Sequence, residues 1–277
     1  VDFGEDVMVE IHCMGKGGPS EDFTRSNEIC QNISKSADGC IRFEITADTE
    51  CEYDFRLYTR PDYHHVFTAK LYAVNDDLAD RIPLRGDFHM HTCRSDGNED
   101  PATVVANYRK IGYDFATVTD HNRYYPSHEA IDTYKDVNIP LNILPGEEVH
   151  INGTHVHIVN AGGLFSVNGL FNDTYNYTET NGADSKRRFN EDSPLPEIVS
   201  NEQFEKEIGE ISKTLNDVPE GFDKRSYSTC VWIFNKIREA DGLGIFAHPY
   251  WISNVWQVSE SLTTYMMKKH PFDAFEV

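Results

Sequence analysis

Residues 86–97 read Gly-Asp-Phe-His-Met-His-Thr-Cys-Arg-Ser-Asp-Gly, and this stretch decides the fold. Its first half, Asp87–His91, has the apolar and polar alternation of a short strand, and its second half is a polar loop. A helix is predicted next, because Asp100 is a favourable N-cap, Pro101 suits the first helical position and Gly112 suits the end. The segment therefore predicts a strand–loop–helix unit, the building block of α/β folds.

The same rhythm continues toward the C-terminus. An apolar strand, Asp114–Thr119, is followed by a helix from about Ser127, and a second long helix runs through Val231–Ala240. Strands that alternate with helices predict a parallel sheet with right-handed crossovers, either doubly wound or closed into a barrel. Further strands are predicted at Leu141–Leu144, His155–Val159, Leu243–Ala247 and Phe272–Val277.

Two parts of the chain break this rhythm. Residues 1–85 contain alternating segments such as Cys40–Thr46 and Tyr53–Tyr58, which predict a small antiparallel β-sandwich domain. The second domain, residues 86–277, contains a polar stretch at about 164–228 that is too long for an ordinary connection. We interpret that stretch as an insertion at the rim of the second domain, able to act as a lid.

Composition limits the function classes. The chain has 277 residues, and its 46 acidic and 25 basic residues give a formal net charge of −21, which argues against a nucleic-acid partner. No stretch approaches the roughly 18 consecutive apolar residues of a membrane helix, so no membrane partner is expected. A hydrophobic fraction of 39% is enough for a sizeable core, which excludes a disordered chain. A small-molecule substrate remains, and a bound metal would still allow an anionic one.

The six cysteines leave the compartment open between two interpretations. None of them forms Cys-x-x-Cys, which argues against a zinc ribbon. Four of them, Cys13, Cys30, Cys40 and Cys51, lie near the N-terminus. Reduced thiols in a cytoplasmic protein are the favoured interpretation, and disulfides in a secreted protein are the alternative.

Ionisable side chains gather at the ends of five predicted strands. In a parallel α/β fold the ligand site is formed at the C-terminal ends of the strands. Residues i and i+2 of a strand share a face, so a His-x-His motif directs both rings at one metal ion. A water-excluded site at these strand ends would not hold this many ionisable groups unless a metal ion, or pairing among the groups, neutralised their charges. The residues are His89, His91, Asp96, Asp120, His121, Glu148, His155, His157 and His248.

In their order along the chain, these motifs resemble those of the PHP (polymerase and histidinol phosphatase) family. The likeness runs from Gly86 to Val277. It implies a distorted (β/α)7 TIM-like barrel that holds two or three divalent ions, commonly zinc, manganese or iron, and hydrolyses phosphoesters. A β-domain ahead of such a barrel also resembles the carbaryl-hydrolase-like branch. The matching motifs are His89-x-His91, Ser95-Asp96-Gly97, Thr119-Asp120-His121, Gly146-x-Glu148, His157 and Ala247-His248-Pro249.

The resemblance also implies a role for each residue. The implied ligands are His89 and His91 for a first ion, Glu148 bridging to a second ion completed by His157 and His248, and Asp96 with His121 for a third. Glu147 is the alternative to Glu148, and His155 is either a ligand or a substrate contact. We expect Glu148 or a nearby aspartate to collect a proton, and Asp120 to orient a ligand. Arg94 and Arg123 are placed to bind an anionic group.

One motif of the family is missing. The family pattern ends in Asp-x-His on the last strand, and nothing after His248 matches it, because His270-Pro-Phe-Asp273 has the wrong order. Either the last strand lies outside this segment, which we favour, or the first and third metal sites are weakened.

Three functional hypotheses follow. The leading one is a metal-dependent phosphoesterase that cleaves a small phosphomonoester or phosphodiester with a metal-activated hydroxide. The second uses the same centre on a carbamate, ester or amide. The third, from another class, is a non-catalytic binding module with a relic metal site.

Overall fold

The computed structural model of the chain describes residues 6–14, 28–34, 36–59, 64–151, 154–171, 189, 196–249 and 258–276. The contacts between residues divide the chain into two units, Val1–Pro83 and Leu84–Val277. Within the described residues, no helix combines the length and the hydrophobicity that a membrane span needs.

The first unit contains one antiparallel sheet with the strand order β2-β1-β3-β4. Val7, Val9 and Ile11 occupy every second position of β1, so they share the face on which the core of this unit forms. Phe55 on β3 pairs with Ile11 and packs into the same core. The strands are β1 (Asp6–Cys13), β2 (Glu28–Ser34), β3 (Cys51–Thr59) and β4 (His65–Ala73).

The predicted sandwich is wrong for the described part of this unit, which forms a single sheet. Residues 40–46 carry the alternation of a strand but no strand hydrogen bonds. Their apolar residues Ile41, Phe43 and Ile45 instead pack, partly buried, against the core of the sheet. Alternation encodes which side chains are buried, and an extended segment can satisfy it without pairing to a neighbour.

The second unit alternates strands and helices as predicted and is a mixed α/β structure. Asp100 caps the first helix, because its carboxylate accepts a hydrogen bond from the Thr103 N–H, and Gly112 takes a φ of +89° just after that helix. The strands are β5 (Gly86–Met90), β6 (Phe115–Val118), β7 (Asn142–Leu144), β8 (Gly146–Val149), β9 (Ile158–Ala161), β10 (Leu243–Phe246) and β11 (Ala274–Phe275). The helices are α1 (Pro101–Lys110), α2 (Tyr125–Tyr134), α3 (Asn201–Lys213), α4 (Lys224–Glu239) and α5 (Glu260–Lys269).

These strands form two ladders rather than one parallel sheet. Strands β5, β6 and β7 are parallel, whereas β9 is antiparallel to both β8 and β10. Residues 150–157 are too short for the crossover that a parallel β8–β9 pair would need. A single parallel bridge between His121 and Glu148 joins the ladders. Over the described ranges the ladders do not close into a barrel.

The described part of the predicted insertion at 164–228 packs into the core. Phe204 and Ile208 on α3 are buried, and the Phe204 ring lies 5.1 Å from that of Trp232 on α4. Helix α3 therefore contributes to the hydrophobic core of the second unit. Residues 172–188 and 190–195 of the insertion lie outside the described residues.

A core substitution on α4 tests this packing. Phe234 is fully buried, so we expect Phe234→Ala to lower the free energy of unfolding by about 3–5 kcal/mol, through lost burial and a residual cavity. Ile111→Ala, at a side chain that is 59% exposed, should change it by no more than about 0.5 kcal/mol. Urea denaturation of both variants measures the difference, and equal effects would contradict the packing.

Two thiols of the first unit lie within reach of a disulfide. The sulfurs of Cys13 and Cys51 are 3.2 Å apart. We expect one molecule of oxidised glutathione to exchange with the two thiols, forming the Cys13–Cys51 bond and releasing two molecules of reduced glutathione. Cys230 is the internal control, because it is fully buried and burial raises its pKa to about 12, so it should stay reduced. Mass spectrometry of an unreduced digest would show the cross-linked peptides, and their absence would rule out the pairing.

Candidate metal centre

Glu148 lies at the centre of a cluster of imidazoles. It belongs to β8 and is completely buried. Six ring nitrogens lie within 3.6 Å of its two carboxylate oxygens. Oε1 is 2.8 Å from His157 Nδ1 and 3.4 Å from His248 Nε2. Oε2 is 2.6 Å from His121 Nδ1, 3.1 Å from His91 Nε2, 3.5 Å from His89 Nε2 and 3.6 Å from His150 Nε2.

The topology explains why residues far apart in sequence meet here. His91 follows the C-terminal end of β5, and His248 follows that of β10 by one further residue. His121 follows β6 and forms the bridge to Glu148. His157 precedes β9, and because β9 is antiparallel to β8, its first end lies at the edge where β8 ends. The predicted strand at His155–Val159 is thus shifted to Ile158–Ala161, yet His157 still reaches the cluster.

The donor atoms fit divalent metal ions. Both oxygens of Glu148 and Nδ1 of His157 are buried and receive no hydrogen bond of good geometry, although ring nitrogens surround them. Nε2 of His89 lies 3.0 Å from Nε2 of His91. Two nitrogen ligands of a tetrahedral zinc ion lie about 3.3 Å apart, given bonds of about 2.0–2.1 Å. The Nε2 atoms of His89 and His91 are therefore spaced about as two nitrogen ligands of one zinc ion would be.

Two carboxylates fix the orientation of the His-x-His rings. Nδ1 of His89 donates to Oε1 of Glu276 over 2.6 Å, and Nδ1 of His91 donates to Oδ1 of Asp96 over 2.6 Å. In the neutral form of each ring, Nε2 is thereby left with its lone pair toward Glu148. A carboxylate behind a ligating histidine is a common feature of metal sites, because it fixes the tautomer and makes the ligand more basic.

Glu276 also holds the backbone of the last ligand. Its Oε2 accepts a hydrogen bond from the His248 N–H over 2.8 Å. His248 has a φ of +30°, a conformation that costs free energy for a residue other than glycine. Because Glu276 bonds both His248 and the ring of His89, it ties the two ligands together.

Burial and charge shift the pKa values of the metal-free cluster. Burial favours the neutral form of Glu148, but the imidazoles of His121, His150, His157 and His248 outweigh it and hold the pKa of Glu148 well below its usual range. Burial lowers the pKa of His89, yet Glu148 and Glu276 overcome that effect and raise it to about 10. Burial lowers the pKa of His150 to about 4. A protonated His89 thus compensates the buried carboxylate, and a metal ion would displace that proton.

The described residues form three groups whose donor atoms lie within 4.8 Å of one another. These groups differ from the implied sets, because His248 joins His89 rather than His157, and His91 joins Asp96 and His121. Glu148 belongs to two of the groups, and its bridging role stays a prediction. The groups are His121, Glu148, His150 and His157; His89, Glu148 and His248; and His91, Asp96 and His121.

Asp120 holds the loop that follows the first two ligands. It is completely buried and accepts hydrogen bonds from the Thr92 N–H, the Thr92 hydroxyl and the Ser95 hydroxyl, over 3.0, 2.8 and 2.6 Å. These bonds fix the turn that carries Asp96. Asp120 therefore holds this loop in place, and its role in orienting a ligand stays a prediction.

The two arginines are placed differently from each other. The guanidinium of Arg94 forms a bidentate ion pair with Glu129: Nε donates to Oε2 over 2.8 Å, and Nη2 donates to Oε1 over 2.5 Å. Arg94 is thus paired with a carboxylate of its own chain, and its anion-binding role stays a prediction. The backbone N–H of Arg123 donates to the carbonyl of Asp120, which places that residue beside the centre.

Glu147 is buried on the other side of its strand, away from the imidazoles. Burial raises the pKa of Glu147, and its carboxylate accepts hydrogen bonds from Asn160, Ser166, Val167 and Asn168. Asn168 also donates to the carbonyl of Glu148 over 3.1 Å. The network fixes the backbone under Glu148, so of the two adjacent glutamates it is Glu148 that meets the cluster.

Two residues of the cluster, His150 and Glu276, are not among the site residues predicted from the sequence, and one candidate, His155, lies outside the three described groups. His150 carries a readable signal, because it lies two residues after Glu148 and shares its face on an extended strand. Glu276 carries none, because its contact with His89 spans 187 positions. His155 is exposed and belongs to none of the three described groups.

Comparison with known proteins gives structural similarities only. No family model and no curated protein matches the sequence. Similar solved structures include a candidate metal-dependent phosphoesterase from Bifidobacterium adolescentis, with 16% identity over 70% of this chain and 77% of that one and a TM-score of 0.40. A two-domain protein from Bacteroides vulgatus, with a predicted PHP-like metal-dependent phosphoesterase, shows 15% identity over 70% and 44% and a TM-score of 0.38. An amidohydrolase from Chromobacterium violaceum with bound sulfate shows 17% identity over 69% and 76% and a TM-score of 0.37.

Of these three structures, the Bacteroides vulgatus protein is the one described with a PHP-like domain, the family that the sequence motifs resemble. All three TM-scores are below 0.5, so these similarities carry no functional conclusion, and the side-chain geometry is the basis of the proposal.

The adjacent glutamates provide a matched test of the centre. Glu148→Gln removes the shared carboxylate, so we expect the metal content measured by mass spectrometry to fall below half an equivalent. Glu147→Gln should retain the metal and cost about 1–3 kcal/mol of unfolding free energy, since an amide NH2 would face two hydrogen-bond donors. Equal metal contents in the two variants would refute the central position of Glu148.

Proposed function

We propose that the chain is a metal-dependent hydrolase of the PHP type, and that its second unit belongs to a distorted (β/α)7 barrel. One observation carries the proposal: a fully buried carboxylate, Glu148, faces six imidazole nitrogens within 3.6 Å and receives no hydrogen bond of good geometry. Oxygen and nitrogen donors of this kind suit zinc, manganese or iron. Two or three such ions are proposed to bind here.

Different residues of the cluster would bind the ions, orient the ligands and accept a proton. Bound divalent ions would supply an acidified water and would neutralise the charge that builds on the oxygens around the attacked phosphorus or carbonyl carbon. Glu148 and the imidazoles bind the ions, and Glu276 and Asp96 orient the rings of His89 and His91. The side chain of Asp96 is 64% exposed and also touches His91, so it connects the centre with solvent. Asp96 is therefore the carboxylate placed to accept a proton from the attacking water.

The proposed substrate is a small phosphomonoester or phosphodiester in the cytoplasm. Metal ions at the cluster would attract a phosphate despite the net charge of −21, since the local charge of the ions decides binding there. The same net charge disfavours a polyanionic nucleic acid.

One observation favours a second candidate, a hydrolase of carbamates, esters or amides. The guanidinium of Arg94, the cation expected to bind a phosphate, is paired with Glu129. An uncharged acyl substrate needs no such cation, and the metal centre would polarise its carbonyl oxygen.

Metal content tests the class of function first. We expect the purified chain, incubated with zinc or manganese and dialysed, to retain at least two equivalents per chain, because the donor groups share Glu148. Less than half an equivalent after loading would contradict the hydrolase and favour a non-catalytic binding module.

A substrate panel separates the candidates. Phosphomonoesters, phosphodiesters, carboxyl esters and carbamates are assayed with the metal-loaded chain, and we expect phosphate esters to give the highest kcat/KM. His89→Ala should lower it by at least about 100-fold, more than loss of an outer partner of a ligand usually costs. His64→Ala, at an exposed histidine of the first unit, is the control and should change it less than twofold. Full activity in His89→Ala would exclude that residue as a ligand.

A further inference from the structure

His150 is a histidine of the cluster that belongs to none of the sequence motifs described above. It follows β8 directly, two residues after Glu148, and its extended backbone directs both side chains to the same side. Its Nε2 lies 2.9 Å from Nδ1 of His121 and 3.6 Å from Oε2 of Glu148. Its ring lies 3.9 Å from the ring of His157.

We propose that His150 is the fourth protein ligand of one metal position, together with His121, Glu148 and His157. The inference rests on the proposed function, since it requires that the centre binds metal. All four donor atoms lie within 4.8 Å of one another, a spread that one ion can bridge. Asn168 accepts a hydrogen bond from the His150 N–H over 3.3 Å and donates to the Glu148 carbonyl, so it holds both backbones in place.

His121 uses one ring nitrogen for this position. Its Nδ1 faces Glu148 and His150, whereas its Nε2 lies 3.4 Å from Oδ2 of Asp96. A neutral imidazole offers one lone pair, so a ligand that binds through Nδ1 carries its proton on Nε2. Asp96 then acts behind His121 as it does behind His91, as an outer carboxylate that orients the ring.

The neighbouring position is left more open. Its group contains three protein donors, those of His89, Glu148 and His248. Four protein ligands complete the coordination of a tetrahedral ion, whereas three leave room for solvent or substrate. The centre therefore combines a closed position that retains its ion with an open position where substrate binds.

Metal titration tests the role of His150 without an activity assay. The metal-free chain is titrated with zinc against a chromophoric chelator, and we expect a tight and a weaker class of sites. His150→Ala should weaken the tight class by at least about tenfold, the lower end of what loss of even an outer partner costs. His64→Ala, at an exposed histidine of the first unit, is the control and should bind as the wild type does. With cobalt, the wild type should show the strong visible absorption of a four-coordinate ion, and His150→Ala should lose it.

A second variant covers the case in which His150→Ala does not fold. His150→Cys replaces an imidazole with a thiolate, another zinc ligand, and should keep the tight class. Zinc affinity in His150→Ala equal to that of the wild type would overturn the role of His150 and leave the proposed function intact. A wild-type chain that binds no zinc at all would instead overturn the proposed function.

Discussion

The centre depends on the cost of burying one carboxylate. Glu148 has no exposed surface, and an ionised carboxylate in that position must be neutralised by nearby positive charge. The metal-free chain does this with the imidazoles around Glu148, and Glu148 together with Glu276 in turn raises the pKa of His89 to about 10 against the effect of burial. A cation of higher charge would neutralise it more completely and release the histidines as neutral ligands. The requirement for positive charge thus links the electrostatics of the fold to metal binding.

The sequence predicts the side chains of the centre better than it predicts the topology. Strand ends such as His89-x-His91 and Asp120-His121 are local patterns, and the structure brings both to Glu148 or to its supporting loop. The direction of β9 is not visible in its residues, because a strand has the same alternation in both orientations. Only the short connection at residues 150–157 carries that information, since it cannot hold a crossover helix.

The contacts of residues that act over long sequence distances are likewise not predictable from local sequence patterns. Glu276 was assigned only to a terminal strand, and its bonds to His89 and His248 depend on how β10 pairs with β11. Arg94 lies in the predicted loop, but its ion pair with Glu129 on α2 makes it a structural cation. Spacing along the chain identifies candidate ligands, whereas the partner of each charge is fixed only after the helices have packed.

The single bridge between His121 and Glu148 has a mechanical consequence. His89, His91 and His121 come from the ladder of β5 and β6, whereas Glu148, His157 and His248 come from the ladder of β8, β9 and β10. An ion bound by residues of both ladders would cross-link them where the described backbone is paired only at the bridge between His121 and Glu148. Ions that bind only the folded chain also stabilise it by mass action. The proposed metal centre would therefore also hold the two ladders of the second unit together, and the histidines that bind the ions would stabilise the fold as well.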